Sequence, residues 1–143
     1  KGHIVNKIAF KPFGKKFAPN RTDFDWLSSD ESVVDRFIED EKCGFEFTFE
    51  GYRDLFVLLK RISRVKWARG IRKNMPILLI AGKDDPVGDY GEGVKKVFFR
   101  LKKAGCKDVS LRLYPNTRHE VLNEKVKYKV YRYILKWLNE RVA

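Results

Sequence analysis

The sequence predicts an α/β domain whose second half is a βαβα unit built on a parallel strand pair. Three observations carry that expectation. Pro76 opens a continuous apolar run, Ile77-Leu78-Leu79-Ile80, of the kind that forms a strand covered on both faces. A second strand is expected over Val109–Tyr114. Between the two, Tyr90–Ala104 places Val94, Val97, Phe98 and Leu101 on one helical face, with Gly105 where a C-terminal cap belongs. After the second strand, Pro115–Asn123 reads as a loop. Lys125–Arg141 then reads as a helix with Val126, Val130, Ile134, Trp137 and Leu138 facing inward. Strand, loop, helix, strand, loop, helix is the order of a parallel pair joined by a right-handed crossover.

The first half differs in character. Lys1–Arg21 is basic, broken by Pro12, Gly14 and Pro19, and reads as an irregular or partly helical arm. Asn20–Trp26 reads as a turn followed by a short extended piece. Ser28 and Glu31 stand at capping-box spacing before Val33, Val34, Phe37 and Ile38, which predicts a short helix over roughly Asp30–Asp40. Phe45, Phe47 and Phe49 alternate with Glu46 and Thr48, as in a strand or an extended lead into a helix. That helix is expected over about Glu50–Ile62, with Tyr52, Leu55, Phe56, Leu59 and Ile62 on one face, and Arg64–Asn74 is a basic connector. The composition shifts near residue 75, dividing the chain into a helical, aromatic segment 1–74 and the βαβα unit 75–143. Two parallel strands make a poor sheet alone. The expectation is an incomplete sheet, which either pairs with a second copy through its edge or lacks strands that lie outside this chain.

With 143 residues, 43% apolar and 14% aromatic, the composition is globular and large enough for one core. No apolar run approaches the roughly 18–20 residues of a membrane span, and no signal-peptide pattern opens the chain. Cys43 and Cys106 lack metal-type spacing and predict free thiols in a cytoplasmic setting. The net charge of +12 raises nucleic acid or an anionic membrane as partners. The charge is spread over helix faces such as Lys95, Lys96, Arg100, Lys102 and Lys103, with carboxylates between, so solvated faces are expected and nucleic-acid binding is not.

Chemistry is expected at the carboxyl ends of the two strands, where open α/β sheets build their sites. Ala81-Gly82 narrows the chain before Asp84, Asp85 and Pro86, and His119 lies in the loop after the second strand. Parallel strands bring both loops to one sheet edge, so Asp85 and His119 can meet although 34 positions separate them. An Asp that accepts a hydrogen bond from a histidine ring fixes its tautomer, the acid–base half of a nucleophilic triad. Asp84 competes for the acid role. A metal site from Asp84, Asp85, Asp89 and His119 fits no known ligand spacing, so no metal or other cofactor is expected. None of Ser28, Ser29, Ser32, Ser63 and Ser110 stands at a strand-to-helix elbow, and His3 is given no role.

From about Asn20 onward the chain resembles the C-terminal half of α/β-hydrolase-fold serine hydrolases, in the lysophospholipase and monoacylglycerol lipase-like group (serine aminopeptidase S33-type). The residues that carry this are Gly82-Lys83-Asp84-Asp85-Pro86-Val87-Gly88, Gly91-Glu92-Gly93-Val94, Leu113-Tyr114-Pro115 and Arg118-His119-Glu120-Val121-Leu122-Asn123-Glu124. The family pattern selects Asp85 over Asp84 as acid and His119 as base. Asn20–Leu27 and Cys43-Gly44-Phe45 look like a cap, which makes Phe45, Phe47, Phe49, Tyr52 and Phe56 candidate contacts for an acyl chain. The resemblance implies a lipid or other carboxylic ester as substrate. The nucleophilic serine and oxyanion loop of the family have no counterpart here, and the chain opens Lys-Gly-His without Met. The expectation is a C-terminal part of a longer enzyme, inactive alone.

Overall fold

In a computed structural model, residues 2–63 and 66–142 are described. Strands β1 (Ile77–Gly82) and β2 (Val109–Tyr114) pair in parallel, from Ile77 opposite Val109 to Gly82 opposite Tyr114. Helix α5 (Glu92–Lys103) connects them and α6 (Lys127–Val142) follows β2. Four helices precede the sheet: α1 (Gly2–Phe10), α2 (Glu31–Glu39), α3 (Phe49–Ile62) and the single turn α4 (Lys66–Arg69).

Alternation along the strands sorts the side chains between two helical layers. Ile77, Leu79 and Val109 pack with Val97, Phe98 and Leu101 of α5, and Trp67, Ala68 and Ile71 close that cluster. On the other face, Trp137 of α6 donates to Ser110 Oγ at 3.1 Å, and the Arg112 guanidinium lies 5.4 Å from the Tyr133 ring. Arg141 grips Asp108 with Nε at 2.7 Å and Nη2 at 2.9 Å, a two-pronged bond that draws the Asp108 carboxyl below its usual range. This anchors the end of α6 beside the start of β2.

Coverage of the sheet is the main correction. Ile77–Ile80 are only half-buried, because the described sheet has two strands and β1 has no neighbour on its far side. Leu138 is exposed, since Trp137 and Arg141 take the sheet-facing positions on α6. Helix α5 starts at Glu92 rather than Tyr90. Asp89, Tyr90 and Gly91 have φ of 53°, 54° and 88°, left-handed values that an α-helix cannot contain. Helix α6 starts two residues later than expected because the Lys125 N–H turns inward to the Glu124 carboxylate.

The basic arm is more regular than its sequence suggests: α1 runs into a 3-10 helix, Lys11–Phe17. Residues 20–26 form no extended piece. Asp25 folds them into a turn by accepting the Arg21 N–H and the Thr22 hydroxyl, both at 2.6 Å. Ser28 and Glu31 do not form a capping box. Asp30 caps α2 by accepting the Ser32 N–H at 3.1 Å, while Ser28 Oγ accepts the Asp30 N–H. Phe45–Thr48 form no strand and are the extended lead into α3, whose cap is Thr48 accepting the Gly51 N–H. In the predicted connector, Arg64 and Val65 lie outside the described residues, as does Lys1 of the arm.

Candidate active site

Two close approaches bring the acid and histidine loops together. At Gly82, the last residue of β1, a Cβ would land against the backbone carbonyl oxygens of Thr117 and Arg118, so only glycine lets the loop after β2 lie this near. One residue past Lys83, the Asp84 N–H donates to the Thr117 carbonyl at 2.9 Å. Asp85 and His119 then face each other with Nδ1 and Oδ1 3.1 Å apart. Asp85 is buried, and the same Oδ1 accepts the Val87 N–H at 2.9 Å, which fixes the carboxylate. The left-handed stretch behind it is tied back by the Tyr90 N–H to the Asp85 carbonyl at 2.8 Å.

With a carboxylate acceptor at Nδ1, the neutral ring carries its proton there and presents Nε2 as a base. Nε2 has no hydrogen-bond partner among the described residues, and 38% of the side chain is open to solvent. The ring of Trp26 lies 5.3 Å from the imidazole. The Asp85 hydrogen bond raises His119 above the ordinary histidine value of 6.5, with partial burial opposing it. A protonated His119 therefore stabilises the fold below that value, and the contribution is lost as pH rises through the folded-state pKa. Urea midpoints measured on either side of the His119 titration are expected to fall with rising pH, and Asp85→Asn to flatten the difference.

The other candidates sort clearly. Asp84 is engaged elsewhere: Lys16 Nζ sits 2.8 Å from its Oδ1 and over the Tyr90 ring. Asp89 pairs with Lys96, and no cluster of metal-ligating side chains stands among the described residues. Phe45, Phe47, Phe49 and Phe56 are exposed, whereas Tyr52 is 2% exposed and holds Phe47 and Phe56 against its ring. Phe45, Phe49, Val57 and Leu58 each leave more than half their surface in water. Full burial of each would contribute about 1.5–3 kcal/mol. No serine hydroxyl bonds His119 among the described residues. Ser29 donates to Glu124, Ser32 to Asp30, and Ser110 accepts from Trp137.

Sequence reasoning missed the segment that embraces the histidine. The Glu120 N–H donates to the Leu27 carbonyl at 2.8 Å. Arg118 donates to the carbonyls of Asp25 and Ser28 while lying 4.1 Å from the Phe17 ring. These contacts join residues ninety or more positions apart and leave no periodic trace; Trp26 and Arg118 enter the sequence reading only within the Asn20–Leu27 and Arg118–Glu124 stretches, with no tie between the two.

This parallel βαβα unit, with Asp85 and His119 at its carboxyl edge, is part of an α/β-hydrolase fold, as similar solved structures show. The model of the serine aminopeptidase, S33 family matches residues 2–126, and the chain belongs to that family. Solved structures similar to the chain include the following three. A highly thermostable carboxyl esterase from Bacillus coagulans, in complex with glycerol, is 26% identical with a TM-score of 0.84, covering 100% of this chain and 46% of the esterase. A lipase in its open form is 28% identical with a TM-score of 0.76, covering 97% and 44%. The monoacylglycerol lipase of Paleococcus ferrophilus is 25% identical with a TM-score of 0.66, covering 96% and 52%. The chain thus spans about half the length of these structures. No curated protein matches it. No helix among the described residues is long and apolar enough to cross a membrane.

Proposed function

We propose that Asp85 and His119 are the acid and base of a Ser–His–Asp triad in a carboxylic ester hydrolase of lysophospholipase or monoacylglycerol lipase type. The nucleophilic serine comes from outside these 143 residues. The observation that supports this best is the buried Asp85 bonded to Nδ1 of a histidine whose Nε2 has no partner among the described residues and whose side chain is partly open to solvent. In this reading Nε2 takes the proton of the serine hydroxyl as its oxygen attacks the ester carbonyl, and Asp85 stabilises the imidazolium. The imidazolium then protonates the departing alcohol. In the second half His119 takes a proton from water, which cleaves the acyl-enzyme and returns the serine. No step calls on a metal or organic cofactor.

Residues 75–143 would form the core edge and residues 1–74 the cap. The exposed rings of Phe45, Phe47, Phe49 and Phe56 suit contact with an acyl chain, with Tyr52 as the support beneath them. The unpaired thiols of Cys43 and Cys106 fit a reducing, cytoplasmic setting. The test has two arms. The purified 143-residue chain is expected to leave p-nitrophenyl butyrate uncleaved, because the nucleophile and oxyanion donors supply most of the rate. A polypeptide captured from source cells with antiserum against this chain is expected to react with a fluorophosphonate and to cleave monoacylglycerol. Turnover by the chain alone, abolished by His119→Ala, would overturn the division of the triad. A captured polypeptide that neither labels nor cleaves esters would overturn the hydrolase reading.

One observation favours a second reading, a non-catalytic interaction or self-association module with a basic surface: among the described residues both strands have an open edge. Sedimentation velocity over a range of concentrations is expected to show dimers. A monomer at every concentration, with no retention on an anionic matrix, removes that reading.

A further inference from the structure

Glu124 is 1% exposed, and no basic side chain bonds it among the described residues. A buried carboxylate without a cation must be compensated by hydrogen-bond donors. It has four. Oε1 accepts the Ser29 N–H at 2.9 Å and the Arg118 N–H at 2.7 Å. Oε2 accepts the Ser29 hydroxyl at 2.6 Å and the Lys125 N–H at 3.2 Å. Arg118 is the residue before His119. Ser29 ends the segment whose Trp26 lies on the imidazole. One carboxylate therefore fixes the backbone on one side of the histidine and the segment packed on its other side.

We propose that Glu124 is a positioning residue for His119, holding its ring in register with Asp85 by clamping the Arg118 N–H to Ser29. The inference rests on the reading of His119 as the base and adds a group to that site without touching substrate. The geometry gives it force. The Nδ1···Oδ1 separation is already 3.1 Å, so a slip of about 1 Å in the Arg118–His119 backbone breaks the bond. Glu124→Gln keeps the shape, but its NH2 cannot accept, so in either orientation two of the four donors lose their partner. Ser29→Ala removes one donor and leaves the charge of Glu124 in place.

The test is imidazole proton and nitrogen NMR of the 143-residue chain, reading the His119 titration and its hydrogen-bonded Nδ1–H signal. Glu124→Gln is expected to lower the His119 midpoint and abolish the Nδ1–H signal, with helix content unchanged by circular dichroism. Ser29→Ala is expected to move both readouts the same way by less. That shift cannot come from lost charge. If Glu124→Gln does not fold, Ser29→Ala decides alone. Folded variants with both His119 readouts unchanged overturn the proposal. Asp85→Asn is measured beside them: a response there with none in Glu124→Gln removes Glu124 and leaves the Asp–His relay standing. No response in Asp85→Asn removes the relay and this inference with it.

Discussion

Asp85→Asn, made in the polypeptide that also carries the nucleophile, is expected to lower kcat for ester hydrolysis by about 10^4-fold with KM little changed. The substitution keeps the shape of the side chain, but turning its NH2 to the ring gives up the Val87 N–H bond, because one oxygen, Oδ1, serves both. What changes is the proton at the ring. An amide NH2 turned toward Nδ1 favours the tautomer with Nδ1 as acceptor and the proton on Nε2, the wrong atom for taking a proton from serine. The imidazolium also loses its only carboxylate contact within hydrogen-bond reach among the described residues. Steady-state kinetics with a p-nitrophenyl ester reads this directly. A fall of less than about tenfold would take Asp85 out of the relay.

The second large effect is expected at a residue with no chemistry. Gly82→Ala adds one methyl group, yet it meets backbone carbonyls of Thr117 and Arg118 that no rotamer change can move aside. We expect a loss of about 3 kcal/mol in stability, the upper part of the range for overpacking. The Asp84 N–H to Thr117 bond, 2.9 Å long, would break as the loops part. Urea unfolding of the variant measures the loss, and His119 is expected to titrate lower because Asp85 moves out of reach. A change within about 0.5 kcal/mol would mean that the two loops do not lie this close.

The βαβα unit was legible because its signals are local. The apolar run at Ile77–Ile80, the helical spacing from Val94 to Leu101 and Gly105 at φ +92° each name their own element. The meeting of Asp85 and His119 followed from topology alone, since parallel strands leave both loops at one edge. What stayed hidden depends on distant partners. Glu124 enters the sequence reading only as the end of the Arg118–Glu124 stretch, with no role of its own; its burial is set by Ser29, 95 positions away. The left-handed Asp89 and Tyr90 interrupt what periodicity alone extends as a helix. The incomplete sheet was foreseen, but not that it leaves Ile77–Ile80 half-covered, because a hydrophobic run records the need for cover and says nothing of what provides it.

Asp85 and His119 sit on a single βαβ unit, joined at Gly82, Asp84 and Asp85 by contacts that involve no other strand among the described residues. In the proposed mechanism the relay is therefore complete before a serine arrives. If the protein were divided ahead of its cap and the pieces mixed, recovery of ester cleavage would follow their encounter, second order in the two concentrations. No slow first-order rearrangement of the histidine loop would follow. Such a pair would act as a complementation reporter whose signal appears at the speed of docking.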